Sequence, residues 1–232
     1  NEGHCYLTAE SLYKNVKALI GEVDDMTLAK SISRSIDKHM IVFENVSGIE
    51  SLYAKPIHEA ECACANLVAE FAKSVPAKTI DYEDVSDVIE STEKVEEIEL
   101  NGKQRQAIRA ALTNRISVIT GGPGTGKTTI INAIVRAYRE DETVLLAPTG
   151  KAAQRMANTS RRQAHTIQMA FVKRLIQPGC KLVIVDEASM LDIINASLLL
   201  QAVHKAGADI VFIGDITQLP PIGAGLFFRD LV

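Results

Sequence analysis

Apolar residues recur at helical spacing through Leu12, Val16, Leu19 and Ile20, and again through Leu28, Ile32 and Ile36, with short polar breaks between them. This predicts two or three short helices. The pattern then changes to alternation, with Met40 and Val42, a turn over residues 45–48, and then Ile49, Leu52 and Tyr53, which reads as a β-hairpin. Short helices followed by a hairpin suggest a small, mainly helical, winged-helix-like module. A longer helix over residues 59–73, with Ala63, Leu67, Ala69 and Phe71 among its apolar positions, closes it. Residues 76–100 are polar and rich in acid. They read as a linker, with enough Val and Ile to permit a connecting helix, and put a domain boundary near residue 90. Beyond it, near-continuous apolar runs at residues 116–120, 144–147, 182–185 and 210–213 alternate with helical stretches. That alternation implies an α/β fold whose parallel sheet is covered on both faces. The expected division is a small domain over 1–78, an acidic linker or connecting helix over 79–97, and an α/β domain over 98–232.

Composition narrows the class. A hydrophobic share of 47% in 232 residues excludes a collagen-like or disordered chain and is enough for a buried core in the larger unit. No run of eighteen apolar residues occurs, and residues 1–6 lack the basic start and apolar stretch of a signal peptide, so a soluble, cytoplasmic protein without membrane contact is expected. The four cysteines, Cys5, Cys62, Cys64 and Cys180, show no C-x-x-C pair. A C-x-C pair on a helix sends its thiols in separate directions, so these read as structural or incidental thiols.

A net charge of −4 conceals an asymmetry. Residues 1–94 hold nine Lys/Arg against seventeen Asp/Glu, and residues 95–232 hold sixteen against twelve. From Lys151 to Lys181 there are seven basic residues and no acidic one, which is where a phosphate backbone would be attracted, unless the run is only a solvated helix face.

Three strand-end motifs carry the chemistry. Residues 121–128 read Gly-Gly-Pro-Gly-Thr-Gly-Lys-Thr, fitting the phosphate-loop pattern directly after one predicted strand and opening a helix over 128–138. Gly121, Gly122, Pro123, Gly124, Thr125 and Gly126 let the backbone wrap close to phosphates. The helix start at Lys127, Thr128 and Thr129 offers free N–H groups, Lys127 reaches the β- and γ-phosphates of a nucleotide such as ATP, and Thr128 suits Mg²⁺. Residues 181–187 are an apolar strand ending in Asp186 and Glu187. Asp186 suits the Mg²⁺ shell and Glu187 the activation of water, although an Asp-Glu pair there can also simply cap the helix starting near Met190. Residues 213–221 put Gln218 ahead of Pro220 and Pro221, where it can sense a γ-phosphate or belong to an ordinary proline-rich loop. Gln104, ahead of the first strand of this domain, reads either as an exposed helix residue or as a contact to an adenine edge.

At these residues the sequence resembles the RecD-like branch of superfamily 1 DNA helicases, the family of the exodeoxyribonuclease V alpha subunit and its longer stand-alone relatives. Residues 121–129 resemble motif I, residues 146–156 motif Ia, residues 185–192 motif II and residues 214–225 motif III. Together they span about residues 98–232. The leading Gly-His-Cys-Tyr-Leu of residues 3–7, with the helices and hairpin after it, is similar to the small domain ahead of the motor in the longer members, on much less specific grounds. The resemblance implies a RecA-like domain and an ATPase that moves along single-stranded DNA, 5′ to 3′ by analogy, in repair or recombination. It implies Gln104 at the adenine, and Gln218 coupling nucleotide state to DNA grip. Thr149, Gly150 and Lys151 would touch the DNA backbone, with Arg155, Arg161, Arg162, His165 and Thr166 along the same path.

The resemblance also implies a piece of a longer polypeptide. Its second RecA-like domain would supply the arginine that stabilises the transition state, which is worth about 10³ to 10⁵ in rate, so this piece by itself should bind ATP and hydrolyse it feebly. Residues 166–180 are short where the family inserts a strand-separating hairpin, which puts duplex unwinding in question. Protein partners in a repair complex fit the same picture. The rival readings are the helicase part of a conjugative relaxase and a non-motor P-loop switch.

Overall fold

The computed structural model describes residues 4–21 and 23–232. The start-of-chain reading at residues 1–3, including Gly3 of the leading motif, lies outside the described residues. The first strand, β1 (Tyr6–Thr8), leads into helices α1 (Ala9–Ile20) and α2 (Asp25–Asp37), followed by the hairpin β2 (Ile41–Val46) and β3 (Ile49–Ala54). Capping explains the helix starts: Thr8 Oγ1 accepts from Ser11 N at 3.2 Å and Asp24 Oδ1 from Thr27 N at 2.9 Å. The hairpin turns on Ser47 and Gly48, both at positive φ, as a tight two-residue connection requires. β1 pairs with β3 on the side away from β2, giving an antiparallel order β1-β3-β2.

Helix α3 (Lys55–Lys73) starts four residues earlier than the sequence pattern predicts, because Pro56 in its first turn is already set for helical φ. Cys62 is exposed and Cys64 buried, as the C-x-C spacing predicts. The acid-rich stretch forms helix α4 (Tyr82–Glu96), which turns Val85, Ile89 and Thr92 inward. Its Glu93 makes an ion pair at 2.7 Å with Arg105 of α5 (Gly102–Thr113).

The remaining chain alternates strand and helix: β4 (Ile116–Thr120), α6 (Lys127–Arg136), β5 (Thr143–Ala147), α7 (Gly150–Ser160), β6 (Ala164–Thr166), α8 (Ile167–Val172), β7 (Leu182–Val185), α9 (Ile193–Ala206), β8 (Asp209–Gly214) and α10 (Phe227–Leu231). The five strands are parallel in the order β4-β8-β7-β5-β6. Successive side chains leave opposite faces of a strand, and two cores result. Leu146, Val183, Val185, Ile210 and Phe212 pack with residues of α3, α8, α9 and α10. Leu145, Leu182, Ile184, Val211 and Ile213 pack with residues of α4, α5, α6 and α7. Both faces are covered, so the apolar strand runs of the sequence are explained. No helix among the described residues is long and apolar enough to cross a membrane.

At the amino edge of the sheet, Asp209 is buried and its carboxylate accepts from Ala77 N at 2.8 and 3.0 Å. Arg115 Nε lies 3.3 Å from Asp209 Oδ1, an ion pair without hydrogen-bond alignment. Burial dominates and pushes the Asp209 carboxyl up to about 6. The folded chain therefore holds this proton more tightly than the unfolded chain. The group favours folding below about pH 4, and that contribution, on the order of 2–3 kcal/mol, is lost as pH rises through about 6. Thermal melts of the protein and of Asp209→Asn across this range are expected to lie closest on the acid side, where the Asp209 carboxyl is neutral like the amide, and to separate towards neutrality with the variant the more stable. A difference that does not vary with pH would contradict the assignment.

Candidate active site

In a parallel sheet the carboxyl ends of the strands share one edge, and the three motifs meet there. β4 delivers the chain to the phosphate loop, whose Gly121 N–H donates to Gly214 O of β8 at 3.1 Å. Gly124 and Gly126 have φ of 74° and 85°, the left-handed region that suits glycine. Gly126 also stands immediately before α6, so no side chain among the described residues caps the helix, and the amides of its first turn, Lys127, Thr128 and Thr129, have no acceptor within the helix. Lys127 Nζ donates to Gly121 O at 2.6 Å and Gly122 O at 2.9 Å, while Thr125 Oγ1 donates to Gly122 O at 2.9 Å. The loop is thus a preformed cradle with a cation and helix amides at its centre. This is the chemistry that a polyphosphate needs. Pro123 is exposed in the loop.

Gln104 stands beside it. Its Oε1 accepts from Asn101 N at 2.9 Å and its N–H donates to Asn101 Oδ1 at 3.0 Å, a reciprocal cap on α5. Nε2 donates across to Thr125 O at 3.2 Å, and a Cβ at Gly126 would run into it. The structure places Gln104 on the rim of the phosphate loop.

β7 is buried throughout and leads directly into Asp186, itself buried. Burial raises the Asp186 carboxyl above its ordinary range, against the N–H of Glu187, which donates to Asp186 Oδ1 at 2.9 Å. Glu187 has φ of 53°, left-handed backbone that a side chain strains. From α7, Arg155 Nη2 donates to Glu187 Oε1 at 2.6 Å and lies 3.5 Å from Asp186 Oδ2. Glu187 Oε2 and Ser189 Oγ are buried without a hydrogen-bond partner among the described residues. The helix after this strand is capped by Asp192, which accepts from Asn195 N at 2.8 Å, so the Asp186–Glu187 pair does not serve as its cap.

β8 leads directly into Asp215, a residue to which the sequence pattern assigns no role. Its Oδ1 accepts from Thr217 Oγ1 at 2.6 Å and Thr217 N at 2.9 Å, and Gln218 Nε2 lies 3.4 Å from Oδ2. The Thr217 bonds hold this carboxyl below its usual range. Gly223 and Gly225 press the following loop against Asp192 and Ile193, where a Cβ would meet side-chain atoms at 2.7 and 2.6 Å. Gln218 and Glu187 share a groove of about 640 Å³ with Thr149, Lys151 and Arg155.

Of the residues expected along a DNA path, Thr149 caps α7, accepting from Ala152 N at 3.2 Å, and Gly150 and Lys151 form its first turn. Lys151 and Arg155 are four apart and share a helix face. Thr166 ends β6 at the same sheet edge and caps α8, and half-buried His165 sits inside β6 opposite Leu146. Arg161 is exposed at the end of α7. Arg162 is placed elsewhere. It donates to Val135 O at 2.6 Å and Tyr138 O at 2.8 Å, at the end of α6 and hence the amino edge of the sheet, because a cation there satisfies the last helix carbonyls.

A phosphate cradle, an acidic strand end and the polar Asp215–Gln218 turn on one parallel-sheet edge define a P-loop ATP-binding domain. Residues 99–232 match the family described as AAA domain, and the chain belongs to that family. Within it the chain is a RecD-like relative. It is 32% identical over 164 residues, 56% of its length, to the RecBCD enzyme subunit RecD of Mycobacterium tuberculosis (strain CDC 1551 / Oshkosh), and covers 28% of that protein. It is 32% identical over 191 residues, 78% of its length, to the ATP-dependent RecD2 DNA helicase of Deinococcus radiodurans, and covers 26% of it. The probable conjugal transfer protein TraA of Sinorhizobium fredii (strain NBRC 101917 / NGR234) is 31% identical over 139 residues, 57% of this chain and 13% of TraA. The chain therefore spans about a quarter of the length of the RecD-type relatives.

Proposed function

We propose that this chain is the ATP-binding part, RecA-like domain 1A over residues 98–232, of an ATP-dependent DNA helicase or translocase that acts on single-stranded DNA in repair or recombination. The observation that carries the reading is the convergence of Lys127, Glu187 and Gln218 on one sheet edge, beside a groove that also holds Thr149 and Lys151. In this reading Gln104 borders the adenine, and Gly121, Gly122, Pro123, Gly124, Thr125 and Gly126 with the amides of Lys127, Thr128 and Thr129 hold the phosphates. Glu187 takes a proton from the water whose oxygen bonds to the γ-phosphorus as the bond to the β-phosphate oxygen breaks, and ADP leaves. Gln218 reports the γ-phosphate to the groove. Thr149, Gly150, Lys151, Arg155, His165 and Thr166 form the DNA side.

No cluster of three His, Cys, Asp or Glu is placed to hold a metal among the described residues, and one hydroxyl with one carboxylate is what Mg²⁺ takes when phosphates complete its shell. Thr128 and buried Asp186 fit that requirement, and the ion would neutralise charge developing on the phosphates. The second RecA-like domain of the parent and protein partners of a repair complex complete the proposal, at the cell's DNA in the cytoplasm. ATP turnover by the full-length parent, with and without single-stranded DNA, tests it. Strong stimulation by DNA is expected, while turnover that ignores DNA would favour a nucleotide switch. The likeness to TraA keeps a relaxase motor as the second reading, which DNA nicking by the parent would favour.

A further inference from the structure

Arg155 does more in this structure than face solvent. Its guanidinium spans the distance from α7 to the acidic end of β7, and one nitrogen, Nη2, reaches both Glu187 Oε1 and Asp186 Oδ2. The burial of the partners is unequal: the Arg155 side chain is 60% exposed and that of Glu187 13%. The cation therefore lies over the mouth of the acidic pair, open to any anion arriving from the groove. One oxygen of Glu187, Oε1, is occupied by this bond, and the other, Oε2, is buried without a partner among the described residues, so neither is open to water. Glu187 is held turned towards α7, on a backbone already strained at φ 53°. One helical turn before Arg155, and on the same face, Lys151 lines the groove with Thr149. A phosphate bound at Lys151 and Thr149 would be within reach of the guanidinium, and it offers Arg a bidentate partner that a single carboxylate oxygen does not.

We infer that Arg155 is a positioning residue that holds Glu187 away from the attacking water until a nucleic-acid phosphate draws the guanidinium off, so that DNA occupancy releases the carboxylate for ATP hydrolysis. This rests on the ATPase reading of the site and supplies its coupling step. The device needs no movement of a domain, because the competing partners meet at one side chain. It differs from a plain phosphate contact in its consequence without DNA: removing a plain contact weakens DNA binding only, whereas removing this one frees Glu187 in the absence of DNA.

The test is steady-state ATP hydrolysis by the full-length parent and its Arg155→Ala and Arg155→Lys variants, at saturating ATP, with and without an unstructured oligothymidylate. Arg155→Ala is expected to raise the DNA-free kcat by about tenfold, the factor equivalent to one charge-assisted hydrogen bond at the weak end of its range. The ratio of DNA-stimulated to DNA-free turnover should shrink to match, with KM for ATP unchanged. Arg155→Lys should restore most of the suppression, since an ammonium can make the same bond. Should the alanine variant not fold, Arg155→Gln keeps the side-chain bulk without the charge and carries the same expectation. A DNA-free kcat at or below the wild-type value in a folded, DNA-stimulated variant overturns the inference and leaves the ATPase reading intact. A wild-type parent whose turnover ignores DNA overturns the DNA-motor reading, and the coupling step with it.

Discussion

Replacing Lys127 by alanine is expected to lower ATP turnover by about 10² to 10³, the loss typical of removing one preorganised donor from the charge that develops in a transition state. The ammonium bridges Gly121 O and Gly122 O at 2.6 and 2.9 Å. Those carbonyls keep it inside the loop at the place where phosphate oxygens would replace them as acceptors. Little reorganisation is then needed when nucleotide arrives, and the side chain has no comparable task in the fold. Stability should change by no more than about 1 kcal/mol, since the two bonds lie in a solvent-facing loop. Phosphate release by the full-length variant with DNA present, beside a thermal melt, separates the two effects. Turnover above about a tenth of wild type would argue against the phosphate role.

Phe71→Ala carries the largest expected cost in stability, about 3–5 kcal/mol. Phe71 is 2% exposed and belongs to the core between α3 and the sheet. Its ring meets His204 of α9 edge to face at 6.0 Å, and the Arg115 guanidinium lies over its face at 5.1 Å. Cys64 of the same helix donates to Ile193 O at 3.8 Å, so α3 is fixed at both ends of α9. Truncation would leave a cavity bounded by sheet, helix and the half-buried Arg115 guanidinium, which its bond to Ala208 O and the Asp209 ion pair hold in place. Urea unfolding reads the loss directly; a shift under about 1 kcal/mol would mean that the cavity closes.

How far the sequence foretells this structure depends on whether the signal is local. β4, β7 and β8 were legible because their apolar runs are unbroken and end in Gly121, Asp186 and Asp215. β1 and β6 were not, for three residues are too few to display a period. The inward side of α4 was hidden because Val85 and Ile89 are outnumbered by acids that merely face water. In the candidate site the phosphate loop and the Asp186–Glu187 pair announced themselves by pattern. The hydrogen bonds that set Asp215 had only the weak hint of Thr217 two residues on. The contact of Arg155 with Glu187 joins positions 32 apart, and a basic run at helical spacing looks the same whether it meets DNA, water or a carboxylate. Arg162 shows the ambiguity from the other side, as a cation in that run which closes a helix end.

The left-handed backbone at Glu187 sets thermal robustness against turnover at a single position. A glycine there would relieve about 1 kcal/mol or more of strain and remove the proposed base in the same stroke. Selection for a hardier protein and selection for a working one would therefore pull this residue in opposite directions.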